Sequence, residues 1–303
     1  MEQLLAITGR NLKSYFRDRG AVFFSLLSML IVILLMVFFL GDMYIENTVD
    51  ILGMFPGRDA VVDKKNAELL ILVWNFAGIL AINAVTVTQA VYSLMIKDRV
   101  TGKLNSIYTA PVSRSIITAG YIVAAWIASV LVCMITLSIT EIYGIIKGVE
   151  AFSFTTHLQL MGLIAVNSFV YAGFMYLLAM LAKTEGAWNG IGTVIGTLVG
   201  FLGGIYIPIG SLSETIGSIM KCTPVIYGTS MFRSIMTKEI AEVTFLGVPE
   251  EVLKEYRLIT GIHLEVFDRT IGITQEWLGL FFCGIIFMIV GIMMLKYGRK
   301  ADR

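Results

Sequence analysis

Residues 97–114, KDRVTGKLNSIYTAPVSR, lie between two long apolar runs, and their reading decides the fold. Charges at both ends, Gly102, an apolar residue every few positions and Pro111 fit one amphipathic turn of helix lying across a membrane face. A soluble partner could push on such an element, and the apolar runs on either side are what the push would move.

Composition supports the membrane reading. Of 303 residues, 57% are hydrophobic and only 15% charged, with a mean hydropathy of +0.81. A soluble globular chain carries roughly 25% charged residues. Several runs reach about 20 residues with few or no charges, enough to cross a hydrocarbon core at about 1.5 Å per residue. The expected class is an all-α polytopic membrane protein, since a β-barrel would alternate rather than run continuously apolar.

Working outward toward the N-terminus, residues 69–96 form a span containing Asn75, Asn83, Thr86, Thr88 and Gln89. Polar residues in a span usually face protein or a cavity, because lipid offers no hydrogen bonds. An acid-rich polar segment, 42–68, separates it from a first span over 21–40. That run is too long for a signal-peptide core, and no small-x-small cleavage site follows it. Residues 1–19 read as an interfacial helix with Leu5, Thr8, Leu12, Tyr15 and Phe16 on one side. Arg10, Lys13 and Arg17 fall on another side, toward anionic headgroups.

Toward the C-terminus, spans are expected over 116–146, 157–182, 187–207 and 277–295, making six. In the fifth, Gly192, Gly196 and Gly200 repeat every fourth residue, which lets another helix approach closely, either within the subunit or from a second one. Residues 208–276 begin with pieces too short and polar to span, suited to re-entrant helices. A soluble loop follows, with a short helix over 250–258. Lys and Arg gather in the N-terminal segment, in 97–114, at Lys183 and in the tail. By the positive-inside rule these lie in the cytoplasm, with both termini, and the expected location is the plasma membrane, in a bacterium.

Chemistry is sparse. The sequence holds no phosphate-binding loop, HExxH or GxSxG. Cys133, Cys222 and Cys283 have no metal spacing and read as small packing residues, and His157 and His263 as surface residues. Glu141, deep in an apolar run, marks either a transport path or a side chain reaching water. Nothing points to catalysis, a resident cofactor, a bound metal or nucleic acid.

Residues 98–114 resemble the cytoplasmic segment of ABC-2 type permeases, the membrane subunits of ATP-binding-cassette exporters, whose pattern is roughly E-R-E-x-G-T-L-E-x-L-L-x-T-P-V-S-R. Arg99, Gly102, Leu104, Pro111, Val112, Ser113 and Arg114 match it, while Asp98, Val100, Lys103, Asn105 and Ala110 depart from it. A second resemblance lies in GIYIP over 204–208, TPVIY over 223–227 and Arg233, where the family has G-x-x-x-P, N-P-L-T-Y and an Arg. The resemblance implies six spans, an N-terminal connecting helix, a coupling helix between spans 2 and 3 and outer re-entrant helices between spans 5 and 6. It also implies a dimer of permease subunits, identical or not, above two ATPase subunits that bind ATP and Mg.

On that resemblance Asp98, Arg99, Gly102, Lys103, Leu104, Ile107 and Tyr108 receive the push, steadied by Arg10, Lys13 and Arg17. Asn75, Asn83, Thr86 and Gln89, with Gly196 and Gly200, line the path, and Gly204, Pro208, Thr223, Pro224 and Tyr227 close an outer gate. Two other classes stay open: a membrane scaffold or sensor whose outer loops recognise a ligand, and an ion-coupled transporter.

Overall fold

The computed structural model describes every residue except 36–39, 110, 267–268 and 302–303, with backbone alone at 28–29, 32, 106–108 and 295–301. Thirteen α-helices and a two-residue antiparallel ladder follow one another along these described residues.

Short polar residues start the helices. Helix α1 (Glu2–Arg17) stops at Asp18, whose carboxylate accepts from the Ala21 N–H at 3.0 Å and opens α2 (Arg19–Leu35). After α3 (Gly41–Gly53), Asp59 accepts from Val61 N and Val62 N to cap α4 (Ala60–Val100). Gly102, at φ +74, turns the chain into α5 (Lys103–Tyr108). Ser113, Ser153 and Thr184 then cap α6 (Arg114–Lys147), α7 (Phe154–Leu181) and α8 (Glu185–Leu202). Helices α9 (Glu214–Lys221), α10 (Pro224–Met236), α11 (Lys238–Thr244) and α12 (Glu250–Ile259) form a cap, and strands β1 (Glu265–Val266) and β2 (Arg269–Thr270) lead into α13 (Ile273–Ala301).

The 41-residue α4 is the axis of the bundle. Its most apolar window is 94% buried against 17% for α13, so α4 is wrapped by protein while α13 lies at the periphery. Helices α2, α3, α6, α7, α8, α10 and α11 all pack on α4. Approach is close because α6 turns small residues inward, among them Ala124, Ala128, Ser129 and Cys133. Ser129 bonds Ser168 of α7 at 2.8 Å, and Asn83 of α4 donates to Thr136 of α6 at 2.8 Å. Peripheral α13 docks on α7 with bulky side chains set over glycines: Phe169 over Gly284, Tyr176 over Gly291 and Phe287 over Gly173.

Four helices among the described residues are long and apolar enough to cross a membrane: α4, α6, α7 and α13. The expected first span enters as α2, whose described part ends at Leu35; its remaining residues 36–39 lie outside the described ones. The expected fifth span ends early. Gly204 at φ +62 reverses the chain after Leu202, Ile205 N bonds back to Gly200 O at 2.9 Å, and Tyr206 folds over Gly200. Gly200 therefore receives a side chain of its own subunit.

Three further expectations change. The polar segment 42–68 is helical over much of its length, as α3 and the first turns of α4. Within the expected loop, α11 forms because Ala241 and Thr244 bury against α4, while Arg58 donates to Thr244 O at 2.7 Å and Leu246 O at 2.8 Å at the helix end. Arg58 also forks onto Asp63 at 2.7 and 2.8 Å, and these bonds raise its pKa further above the ordinary arginine value. Finally, α1 buries Thr8, Asn11 and Tyr15 on α4 and α6, leaving Leu5 and Phe16 exposed. The buried stripe is rotated because Ile7 needs the space above Gly120. A Cβ at Gly120 would stand 2.5 Å from Ile7 Cγ2 and 2.9 Å from Ile7 Cβ. Gly120→Val should thus cost about 1–3 kcal/mol by overpacking. It should also raise protease cleavage within α1; unchanged cleavage and thermal midpoint would show that α1 docks elsewhere.

Candidate functional site

Three groups of polar residues lie along α4, at its basic end, its middle and its cap end. At the basic end Asp98 is 2% exposed. Arg10 Nη1 of α1 meets its Oδ2 at 2.6 Å, and the Tyr121 hydroxyl of α6 donates to the same oxygen at 2.7 Å. Arg10 also reaches Asn11 Oδ1 at 3.0 Å, and its bond to Asp98 raises its pKa further. Arg10 therefore turns inward to the bundle, while Lys13 and Arg17 remain exposed. Arg99 is committed as well: its Nη1 donates to Ala182 O at 3.0 Å and Ala179 O at 3.3 Å, capping the C-terminal end of α7. Asp98 and Arg99 together pin the end of α4 to α1, α6 and α7.

Just beyond, Leu104 is 8% exposed, while Lys103 and Asn105 face outward. A Cβ on Gly102 would meet nothing within 4 Å, so only its backbone conformation calls for glycine. The side chains of Ile107 and Tyr108 lie outside the described residues.

At the middle of the bundle a cavity of about 910 Å³ opens between α2, α4 and α8. Thr86, Gln89 and Ser93 of α4 face Asn189, Thr193 and Thr197 of α8 across it, with Phe24 and Ile31 of α2 on the apolar side. Asp18 is the charged residue on this lining among the described ones. Gly196 lines it with open space at its Cβ position, and Gly192 makes room for the Gln89 amide. Asn75 and Asn83 do not line it: Asn75 donates to Ile71 O at 2.9 Å, and Asn83 joins α4 to α6.

At the cap end Arg233 of α10 is wholly buried, at 0% exposure. Its Nη2 donates to Gly204 O at 2.9 Å and its Nη1 to Thr260 O at 3.2 Å, and its guanidinium carbon stands 3.7 Å from the Trp74 ring centroid on α4. Trp74 Nε1 donates to the same Thr260 carbonyl at 2.9 Å. Pro208 and Gly204 are buried in this knot. Thr223 donates to Met220 O at 2.8 Å just before α10, Pro224 supplies the first residue of α10, and the Tyr227 hydroxyl donates to Lys221 O at 2.7 Å.

A family model described as ABC-2 type transporter matches residues 2–237, from α1 to the end of α10. The chain belongs to this family. No curated protein matches it. As an ABC-2 permease it is the membrane component of an ABC transporter, and the family works with an ABC ATPase subunit.

Within the permease, the motif residues of 98–114 are spread over several tasks rather than forming one surface. Asp98 and Arg99 are internal braces, Leu104 is an anchor, and Lys103 is exposed. Residues the sequence reading left out complete each group: Tyr121 beside Asp98, Asn189, Thr193 and Thr197 on the cavity, and Trp74 beneath Arg233. The α8 residues were recoverable, because Asn189, Thr193 and Thr197 repeat every fourth residue on the glycine side of that helix. Tyr121 and Trp74 carry no such pattern. Glu141 and His157 meet at 2.8 Å where α6 hands over to α7, with Glu141 also accepting from Phe152 N at 3.1 Å.

Proposed function

We infer that this chain is the permease subunit of an ABC exporter that moves an amphipathic or hydrophobic substrate, such as a drug, peptide, lipid or saccharide, out of the cell. The observation that supports it is α4 itself. One continuous helix carries Asp98 beside α5, Thr86 and Gln89 on the cavity, and Trp74 in the cap. A rigid rod of this kind passes a displacement at its basic end to the cavity wall and the cap together.

In this reading α2 and α8 are the first and fifth of six spans, and the basic end with both termini is cytoplasmic. ATP and Mg bind the partner ATPase subunits, whose closure presses on α5 through Lys103, Ile107 and Tyr108, while Leu104 passes the push on by anchoring α5 to the bundle. Lys13 and Arg17 of α1 contact the same partner, while Arg10 holds α1 in place. A second permease subunit covers the cavity on the exposed side of α8, where Val194 and Leu198 are 56% and 45% exposed. Hydroxyls and amides beside aliphatic and aromatic walls suit an amphipathic cargo better than a bare ion. Gly204, Pro208, Thr223, Pro224 and Tyr227 shape the outer gate, opened when α4 shifts Trp74 beneath Arg233.

Two variants test this. Gly196→Phe places a ring in open space and should remove transport while leaving ATPase binding and the thermal midpoint unchanged. Leu104→Glu should do the reverse at the coupling end, leaving the cavity intact but uncoupling ATP hydrolysis from cargo movement. Full transport in either variant, or purification with no ATPase partner, would sink the proposal and favour a scaffold or sensor.

A further inference from the structure

A second cavity, of about 800 Å³, lies at the cap end between the α9–α10 junction, the β1–β2 ladder and the first turns of α13. Glu276 of α13 lines it at 4% exposure. Among the described residues its one side-chain hydrogen-bond partner is Ser230, whose Oγ stands 3.1 Å from Oε1, and no ion pair reaches it. Ser230 has a single proton, and the Ile262 carbonyl also stands 3.1 Å from it. The two acceptors thus compete for one donor. A carboxyl group buried with so little compensation takes up a proton unless a cation meets it and keeps it ionised.

The remainder of the cavity indicates which cation. Lys221 and Arg269 stand on its lining, half-buried and exposed respectively. One helical turn from the lining residues Cys222 and Gly279, Ile219 of α9 is 57% exposed and Phe282 of α13 is 58% exposed, so the same helices carry exposed apolar side chains next to the cavity residues. Acid within, bases at the edge and apolar side chains beyond match an aminophospholipid in charge order from headgroup to chains. We propose that this cavity binds the headgroup of a phosphoethanolamine lipid, with its ammonium on Glu276, its phosphate between Lys221 and Arg269, and its acyl chains along Ile219 and Phe282.

A primary ammonium offers N–H donors to Glu276, whereas choline has none and is held by aromatic cages. Tyr227 is the aromatic residue on this lining among the described ones, and its hydroxyl is tied to Lys221 O. An uncharged glycerol headgroup supplies no cation for Glu276. The inference stands apart from export, since it concerns a lipid held at the flank of the cap and not the cavity beside α8.

The test is lipid retention by the purified full-length protein, read by native mass spectrometry after titration with phosphatidylethanolamine, phosphatidylcholine or phosphatidylglycerol. Wild-type protein should retain phosphatidylethanolamine about tenfold better than the other two, as expected for a charge-assisted hydrogen bond. Glu276→Gln, which keeps the shape and a bond to Ser230, should erase that preference without lowering phosphatidylcholine retention. Gly279→Leu fills the cavity from a position where an added Cβ meets nothing within 4 Å, and should lower retention of phosphatidylethanolamine even if Glu276→Gln proves unstable. Soluble phosphoethanolamine at the same concentration should not displace the lipid. Equal retention of the three lipids, a preserved preference in Glu276→Gln, unchanged retention in Gly279→Leu, or displacement by the soluble headgroup would each overturn the assignment.

Discussion

Arg233→Lys should destabilise the purified protein by about 2–4 kcal/mol and abolish transport, although it keeps the positive charge. The wild-type side chain joins three segments far apart in sequence: Gly204 O after α8, Thr260 O after α12, and the Trp74 face on α4. These contacts need a flat group with donors pointing in fixed, divergent directions. An ammonium on a flexible stem can satisfy one carbonyl and cannot stack on the indole in the same way. The Gly204 carbonyl would then lose its arginine bond inside the cap. Arg233→Met offers the informative contrast, because it also removes a buried charge that no described carboxylate pairs with. Methionine should therefore be no more damaging than lysine. A thermal midpoint for Arg233→Lys equal to wild type would mean that the forked contacts do not hold the cap.

The second large effect is expected at the other end of α4. Arg10→Met leaves Asp98, at 2% exposure, with the Tyr121 hydroxyl as its remaining side-chain donor among the described residues, and should cost about 3 kcal/mol. Asp98→Asn is milder, about 1 kcal/mol, because the Arg10 side chain is 37% exposed and the stranded guanidinium can turn to water. Combining Arg10→Met with Asp98→Asn removes both charges and should recover part of the loss of the first, a coupling of about 1–3 kcal/mol. Chemical denaturation of the four proteins in detergent closes this cycle. Strictly additive losses would show that the two groups do not act as a pair. The variant with Arg10 alone replaced should also hydrolyse ATP with its partner while transporting poorly, since α1 is then no longer tied to the base of α4.

How much of this was legible depended on the kind of signal. The long apolar runs around 69–96, 116–146, 157–182 and 277–295 contain the cores of α4, α6, α7 and α13, because lipid requires continuous apolarity and an internally bonded backbone. The expected spans begin at 116, 157 and 187, two or three residues after α6, α7 and α8 start, because apolarity alone does not register the polar caps Ser113, Ser153 and Thr184. The facing of α1 was not legible either. Its apolar residues admit more than one stripe, and the choice fell to Gly120 on α6, which takes Ile7. The glycine repeat of α8 pointed to close approach without naming the neighbour: Gln89 fills one site, Tyr206 another, and Gly196 opens on the cavity.

From sequence alone came the class of the molecule, its polar lever between two apolar runs and its family resemblance, because each rests on composition or on residues adjacent in the chain. Tertiary structure alone decided that Arg10 turns inward to Asp98, that Arg99 caps α7, that Thr86 and Gln89 reach the cavity while Asn83 does not, and that Arg233 lies on Trp74. Each of those depends on what a side chain meets across 50 or more residues of chain, and a buried charge takes its partner from geometry that no local pattern encodes.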